Sequence, residues 1–165
     1  MATPRLARLF IEAMAKQLPP SASQLQLLDL GGLTGDTLTT LRPDVDITPV
    51  AGAPANWALP DECFDAVVGL DAALTPDALT TALAALRPGG RLILMDSNGE
   101  VTADRVQLLE GVGYTRILVE SGIECPLPTG VLMRGEKPHT TDDTLARVQL
   151  GADGDADGLT LAAYR

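Results

Sequence analysis

The stretch LLDLGGLTG at residues 27–35 decides the fold prediction. It continues a short apolar run that starts at residue 25, and it leads directly into a glycine-rich turn followed by a modest helical segment at 36–41. Glycines let the backbone turn sharply after a strand and approach a ligand closely. A helix that starts after such a turn offers free N–H groups to a ligand's polar end. The stretch therefore predicts a strand, a ligand-binding type of loop and a helix, in that order.

The rest of the chain continues this alternation of strands and helices. Thr75-Pro76-Asp77 is typical of a helix start, with an N-cap threonine, proline at the first helical position and an acidic first turn. Alternation predicts an α/β fold with a mostly parallel sheet and helices on its faces. The last two strands have no helix between them, which predicts an antiparallel hairpin at one edge. The predicted helices are 1–18, 36–41, 75–86 and 102–110, and the predicted strands are 25–30, 45–50, 63–70, 91–96, 114–120 and 130–134.

Length and composition narrow the class of protein. The 165 residues, with 45% hydrophobic and 21% charged residues, predict a single domain that buries a sizeable core. We expect an N-terminal helix within 1–20, a core at 25–138 and a C-terminal β extension at 140–165. A net charge of −10 disfavours nucleic acid and anionic membranes as partners. With no apolar run long enough to span a membrane and no signal-peptide pattern, a cytoplasmic location is the default expectation.

Two further patterns suggest little chemistry of their own. Cys63 and Cys125 are far apart and form no C-x-x-C motif, which predicts two reduced thiols. The string DGDADG contains Asp153, Asp155 and Asp157 and matches the start of a calcium loop, but its twelfth position is Tyr164 where an acidic ligand is needed. An acidic hairpin turn is the favoured interpretation, and calcium binding stays open.

With these elements placed, residues 25–138 resemble the class I S-adenosylmethionine (SAM)-dependent methyltransferases. Four segments carry the resemblance, and they occur in the family's order: LLDLGGLTG (27–35), LPDECFDAVVGL (59–70), ALRPGGRLILMD (85–96), and LLEGVGYTRILVE (108–120) followed by GVLMRGEKP (130–138). The resemblance implies the Rossmann-like methyltransferase fold. It also implies that SAM, where it binds, lies at the carboxyl ends of the parallel strands.

The chain departs from the family in the glycine loop and in length. The family's loop has a central glycine where this chain has Leu33, whose branched side chain is expected to crowd the ligand. Between residue 42 and Cys63 only 20 residues replace the usual two strands, helix and loop, so the fold is shortened by about one strand and one helix. If strand 45–50 is the family's second strand, its ribose-binding carboxylate is missing after Val50. If it is the third, the family's Gly-Asp has become Gly52-Ala53.

Candidate ligand-binding residues follow the ends of the predicted strands. The resemblance implies a cofactor-binding set consisting of Asp29, Gly31, Gly32, Gly35, Asp71 and Asp96, with Ser97 and Asn98 beside the last of these. We predict no catalytic residue, since Leu70-Asp71-Ala72-Ala73 replaces the Asn-Pro-Pro-Tyr segment of amine methyltransferases, and His139 lies after the terminal hairpin. Trp57 either stacks on a base or fills the emptied ligand crevice, and we favour the second interpretation.

These departures lead to two functional hypotheses, so whether the chain is an enzyme stays open. The first is a degenerate methyltransferase-like module that has lost SAM binding and catalysis and acts in binding or dimerisation. Its partner is an unidentified protein or small molecule, or a second copy of the chain that pairs through the truncated sheet edge. The second is a working SAM-dependent methyltransferase acting on a small molecule. The predicted cofactor is accordingly none, or SAM if the protein is active.

Overall fold

A computed structural model describes residues 4–19 and 23–139, and these residues form four helices and six strands. The helices are α1 (Pro4–Gln17), α2 (Gly35–Leu41), α3 (Pro76–Ala85) and α4 (Ala103–Val112). The strands are β1 (Leu25–Leu30), β2 (Val45–Val50), β3 (Phe64–Leu70), β4 (Leu86–Asp96), β5 (Thr115–Ser121) and β6 (Val131–Glu136). The C-terminal β extension expected at 140–165, with its candidate calcium loop, lies outside the described residues.

All six strands join one sheet in the order β2-β1-β3-β4-β6-β5. Strands β1 to β4 run parallel to their neighbours, whereas β6 lies antiparallel between β4 and β5. This order confirms the predicted mostly parallel sheet and its C-terminal antiparallel hairpin. It is the Rossmann-like α/β architecture, in which ligands bind outside the carboxyl ends of the parallel strands.

Helices cover both faces of the sheet because the buried strands are apolar on both sides. Along β1 the side chains alternate: Leu25 and Leu27 belong to the core beneath α1 and α2, while Leu28 and Leu30 belong to the core beneath α3 and α4. Phe10 from α1 is fully buried in the first core. No helix within 4–19 and 23–139 is long and apolar enough to cross a bilayer.

Helix α3 starts as predicted, but it ends one residue early. The Thr75 hydroxyl accepts a hydrogen bond from the Ala78 amide at 3.1 Å, and Pro76 is the first helical residue. The sequence predicted a helix to Leu86 and a strand from Arg91. Instead Leu86 is extended and pairs with Phe64, and a bulge follows before Arg91 pairs with Ala66. The Arg-Pro-Gly-Gly segment is therefore an irregularity within β4 rather than a separate turn.

The last helix and the hairpin are displaced from their predicted bounds by one or two residues. Helix α4 continues to Val112, and Gly113 ends it with a φ of +120°, a conformation that only glycine adopts easily. Tyr114, expected to open β5, packs into the core instead. Its hydroxyl donates a hydrogen bond to the Leu79 carbonyl at 2.9 Å, and burial raises its pKa.

Candidate functional site

The glycine loop has the backbone geometry that its sequence predicts. Gly31 and Gly32 have φ values of +93° and +70°, which side chains other than glycine rarely adopt. The Gly31 amide donates to the Val50 carbonyl at 2.8 Å, so the β1–β2 ladder continues into the turn. Leu33, at the position of the family's central glycine, is 40% exposed. The chain thus makes the sharp turn after β1 and places a leucine at its outer side.

Asp29 lies beneath this loop and is fully buried. Its Oδ2 accepts two hydrogen bonds from Thr34, one from the amide at 3.1 Å and one from the hydroxyl at 2.6 Å. Burial raises the pKa of Asp29, and the Thr34 hydrogen bonds partly oppose that shift. Oδ1, in contrast, has no hydrogen-bond partner within the described residues. One oxygen of this carboxylate therefore closes the loop onto Thr34.

A second carboxylate joins the ends of β3 and β4. Asp71 has a φ of +54°, and its two oxygens accept from the Ser97 amide at 2.7 Å and the Ser97 hydroxyl at 2.8 Å. The Thr129 hydroxyl in turn donates to the Ser97 carbonyl at 2.7 Å, which ties the β5–β6 connection to the same point. Sequence analysis missed Thr129, since a threonine in a proline-containing loop carries no signal of this role.

Asp96 is engaged by neighbours from its own loop and from α4. Its Oδ2 forms an ion pair with Arg105 at 3.2 Å, and its Oδ1 accepts from the Asn98 amide at 3.1 Å. Arg105 also donates to the Glu100 carbonyl at 2.8 Å. The charge of Asp96 is thereby compensated within the chain.

The predicted site residues separate into two groups. Leu33, Asp71, Ala72, Asp96 and Asn98 line an open cavity of about 390 Å³ at the carboxyl edge of the sheet. Asp29, Gly32 and Gly35 line a different cavity of about 370 Å³ that extends between α2 and β2. Gly31 forms the turn itself. The structure thus brings Asp71 and Asp96 together, as expected for adjacent parallel strands, but it turns the Asp29 carboxylate towards the α2 side.

The position of β2 decides between the two alignments considered for it. Strand β2 pairs in parallel with β1 along its whole length, from Leu25 opposite Val45 to Leu30 opposite Val50. In the Rossmann-type strand order this is the place of the second strand, and in the described part of the chain no strand lies beyond it. No carboxylate follows Val50. Instead the indole of Trp57, half-buried against the same core as Val50, donates to the Ala51 carbonyl at 3.2 Å.

A third cavity lies beside the first and was not foreseen. It measures about 620 Å³ between the β4–α4 and β5–β6 connections, and Val101 and Ile123 stand at its border with 51% and 69% exposure. Asn98 lines both this cavity and the one at Asp71. Its lining comes from loops, whose shape depends on tertiary contacts such as the Thr129–Ser97 hydrogen bond.

Residues with other chemistry offer no alternative centre in the described part of the chain. Cys63 and Cys125 are free thiols, as predicted, and burial together with Glu120 raises the pKa of Cys125 to about 11. No group of three or more histidine, cysteine, aspartate or glutamate side chains within 4–19 and 23–139 is placed to hold a metal ion. His139 is exposed beside Gly89, near the start of β4, whereas Asp71 and Asp96 lie at the carboxyl ends of β3 and β4.

The fold defined by this sheet and loop is that of the class I SAM-dependent methyltransferases. One similar structure is the complex between the Haloferax volcanii Trm112 methyltransferase activator and a methyltransferase. The matched chain is 16% identical, with a TM-score of 0.64, over 82% of this chain and 91% of that one. The cyclase SpnF is 16% identical, with a TM-score of 0.62, over 85% of this chain and 84% of that one.

A third similar structure contains a product of the cofactor. Haemonchus contortus phosphoethanolamine N-methyltransferase 2, solved with S-adenosylhomocysteine, is 11% identical, with a TM-score of 0.59, over 78% of this chain and 52% of that one. No protein-family model and no curated protein matches the sequence. At these identities the likeness establishes the fold, and the activity has to be argued from the site.

Proposed function

We propose that the protein is a binding module with a methyltransferase fold that neither holds SAM nor transfers a methyl group. The observation that carries the proposal is the internal use of the polar groups at the carboxyl-edge cavity. Ser97 donates hydrogen bonds to both carboxylate oxygens of Asp71, and Arg105 forms an ion pair with Asp96. Both carboxylates already have partners within the chain, so a ligand that recruits either of them gains less net free energy than it would from an unpaired carboxylate.

The end of β2 supports the same proposal. The family's ribose-binding carboxylate has no counterpart after Val50, and each lost charge-assisted hydrogen bond costs a ligand about 1.5–3 kcal/mol. Trp57 lies against Ala51 at this strand end, where an indole gains free energy from burial and takes up space. Leu33 adds a branched side chain at the cavity lining. The missing carboxylate deprives a nucleoside of an anchor, and the side chains of Trp57 and Leu33 reduce the space for it.

A thermal unfolding experiment tests this proposal without an assumed methyl acceptor. Adding about 1 mM SAM to a protein that binds it with a Kd of about 10 µM stabilises the folded state by about 2.7 kcal/mol. For a chain of this size such binding raises Tm by roughly 5 °C or more. We expect no shift with SAM or with S-adenosylhomocysteine. A shift of that size with either nucleoside would contradict the loss of binding.

A working methyltransferase acting on a small molecule is the second candidate, and two observations favour it. The glycine loop keeps its left-handed turn at Gly31 and Gly32, and the cavity of about 390 Å³ falls in the size range of small-molecule sites. The Haemonchus contortus structure holds the demethylated cofactor on this fold. SpnF, which is named a cyclase, is a reason not to equate the fold with methyl transfer.

As the partner of the module we propose another protein, with a second copy of the chain as the first to test. The Haloferax volcanii structure offers a precedent, because it is a complex with a methyltransferase activator. Among residues 4–19 and 23–139, no further strand lies beside the β2 edge. Hydrogen bonds from Leu25 to Asp44 and from Gly31 to Val50 direct the even-numbered carbonyls of β2 towards β1. The backbone groups of Val45, Ile47 and Pro49 therefore face outwards.

Pairing at this edge predicts a dimer with a short ladder. Pro49 has no N–H, so it limits the ladder to the Val45–Ile47 half of the strand. We expect light scattering at increasing protein concentration to reach twice the mass of the chain. Ile47→Pro removes the outward amide and keeps the β1 ladder, and it should restore the monomer mass. A monomer mass for the unaltered protein at all concentrations would exclude the homodimer.

A further inference from the structure

The exposed large apolar side chains gather at one edge of the sheet. Four such side chains occur in residues 4–19 and 23–139, and three of them follow strands: Leu33 after β1, Val101 after β4 and Ile123 after β5. Strand β5 runs in the same direction as β4, because β6 is antiparallel to both. All three side chains therefore lie at the carboxyl edge. Single exposed apolar side chains need no explanation, but a group of them in one place marks an interaction surface.

The cavity of about 620 Å³ between Val101 and Ile123, which we call the edge groove, belongs to this surface. It joins the cavity that Leu33 lines, since Asn98 borders both. One wall is held in place by the Ser121 hydroxyl, which accepts a hydrogen bond from the Ile123 amide at 3.3 Å. Pockets of this kind take the bulky apolar side chain that anchors a protein partner. The groove is therefore a shaped recess with apolar borders.

The loops around the edge groove carry negative charge without a basic counterpart. Segments 97–104 and 121–130 contain Glu100, Asp104 and Glu124, and they contain no lysine, arginine or histidine. None of these three carboxylates forms an ion pair within the described part of the chain. The arginine that follows on α4 is already paired with the carboxylate at the end of β4. A partner whose charge complements this surface is basic.

We propose that the edge groove docks a basic segment of another protein, which inserts a bulky apolar side chain between Val101 and Ile123. Burial of that side chain supplies affinity, and lysines or arginines beside it face Glu100 and Glu124. Nucleic acid and anionic lipid are repelled by the same loops. The inference deepens the proposed binding function and rests on it, because it takes this edge to be free of SAM. It concerns a different surface from the outer side of β2.

Fluorescence anisotropy with three labelled hexapeptides tests the surface. The peptide KKLFKK presents both features, KKSSKK lacks the apolar pair, and EELFEE reverses the charge. We expect KKLFKK to bind the unaltered protein at least tenfold more tightly than either of the other two. Its affinity should fall as salt is added, because part of the attraction is between exposed charges.

Two pairs of variants locate the bound peptide. Ile123 is 69% exposed, so Ile123→Ser should keep the fold and weaken KKLFKK at least threefold. Leu9→Ser makes the same kind of change on α1, outside the lining of the groove, and should leave binding unchanged. Glu100→Gln should also weaken the peptide severalfold. Glu110→Gln removes an equal charge from an exposed position near the end of α4 and should have no such effect.

Three results overturn the proposal. Equal binding of KKLFKK and KKSSKK would indicate attraction to the net charge alone. Unchanged binding in both Ile123→Ser and Glu100→Gln would place the peptide elsewhere, and no binding of KKLFKK at millimolar protein would remove the surface altogether. Titration of SAM into the peptide complex separates this inference from the proposed function. Displacement of the peptide would confirm the surface but contradict the loss of SAM binding, whereas a protein that binds neither contradicts the surface alone.

Discussion

Replacing Phe10 by alanine is expected to lower the free energy of unfolding by about 3–5 kcal/mol. Phe10 is fully buried between α1 and the sheet, in the core that also contains Met14, Leu70 and Ile93. The chain has only two phenylalanines, so no other ring of this size is available on α1. The substitution removes the apolar contact area of the ring and leaves a cavity that the rigid sheet cannot fill.

Urea unfolding measures this loss, and the adjacent residue provides the control. Leu9 is 41% exposed, so Leu9→Ala should change the free energy of unfolding by about 0.5 kcal/mol or slightly more. An effect of Phe10→Ala no larger than that of Leu9→Ala would mean that α1 does not pack on the sheet as described. Arg91 and Arg134 also donate hydrogen bonds to Gln17 at the end of α1. Detachment of α1 from the sheet would be visible as faster hydrogen exchange of its backbone amides.

Gly130→Ala is expected to cost about 3 kcal/mol or more. Gly130 has a φ of +93°, where an alanine is strained whatever the space around it. A Cβ at this position would lie 2.6 Å from the Asp96 carbonyl oxygen and 2.9 Å from the Phe10 ring. The carbonyl belongs to β4 and cannot move aside without breaking the sheet, so strain and overlap add.

Gly111→Ala is the matched control for this substitution. Gly111 lies in α4, and a Cβ there would meet nothing within 4 Å. Alanine is favoured over glycine in a helix by about 1 kcal/mol, so this variant should be neutral or stabilised. Thermal unfolding of both variants compares the same chemical change at two positions. Destabilisation of the two by similar amounts would contradict the close packing at Gly130.

The sequence contained enough information to predict the fold but not all element bounds. Signals that act locally were reliable, such as the Thr75 N-cap and the glycine turn after β1, because they depend on neighbouring residues. The predicted start of β4 at Arg91 was wrong because Leu86 already pairs with Phe64 in the sheet. Tyr114 was wrongly placed for a similar reason, since its hydroxyl finds the Leu79 carbonyl 35 residues away.

The candidate site was predictable only where strand ends determine it. Asp71 and Asp96 follow adjacent parallel strands, so their proximity at the carboxyl edge followed from the order of elements. Asp29 also follows a strand, but its orientation depends on how Thr34 and α2 close over it. Nothing in the sequence pattern distinguishes a carboxylate that faces a ligand from one that holds its own loop. The predicted role of the glycine-loop residues in cofactor binding therefore remains a prediction.

Titration calorimetry of the unaltered protein with SAM and S-adenosylhomocysteine is the most direct test of the central proposal. Internal use of Asp71 and Asp96, the missing carboxylate after Val50 and the side chain of Leu33 predict no heat of binding, even at millimolar nucleoside. Binding in the micromolar range by either compound would contradict the proposal. It would show that the glycine loop accepts the cofactor despite Leu33, and the working methyltransferase would become the better account of the protein.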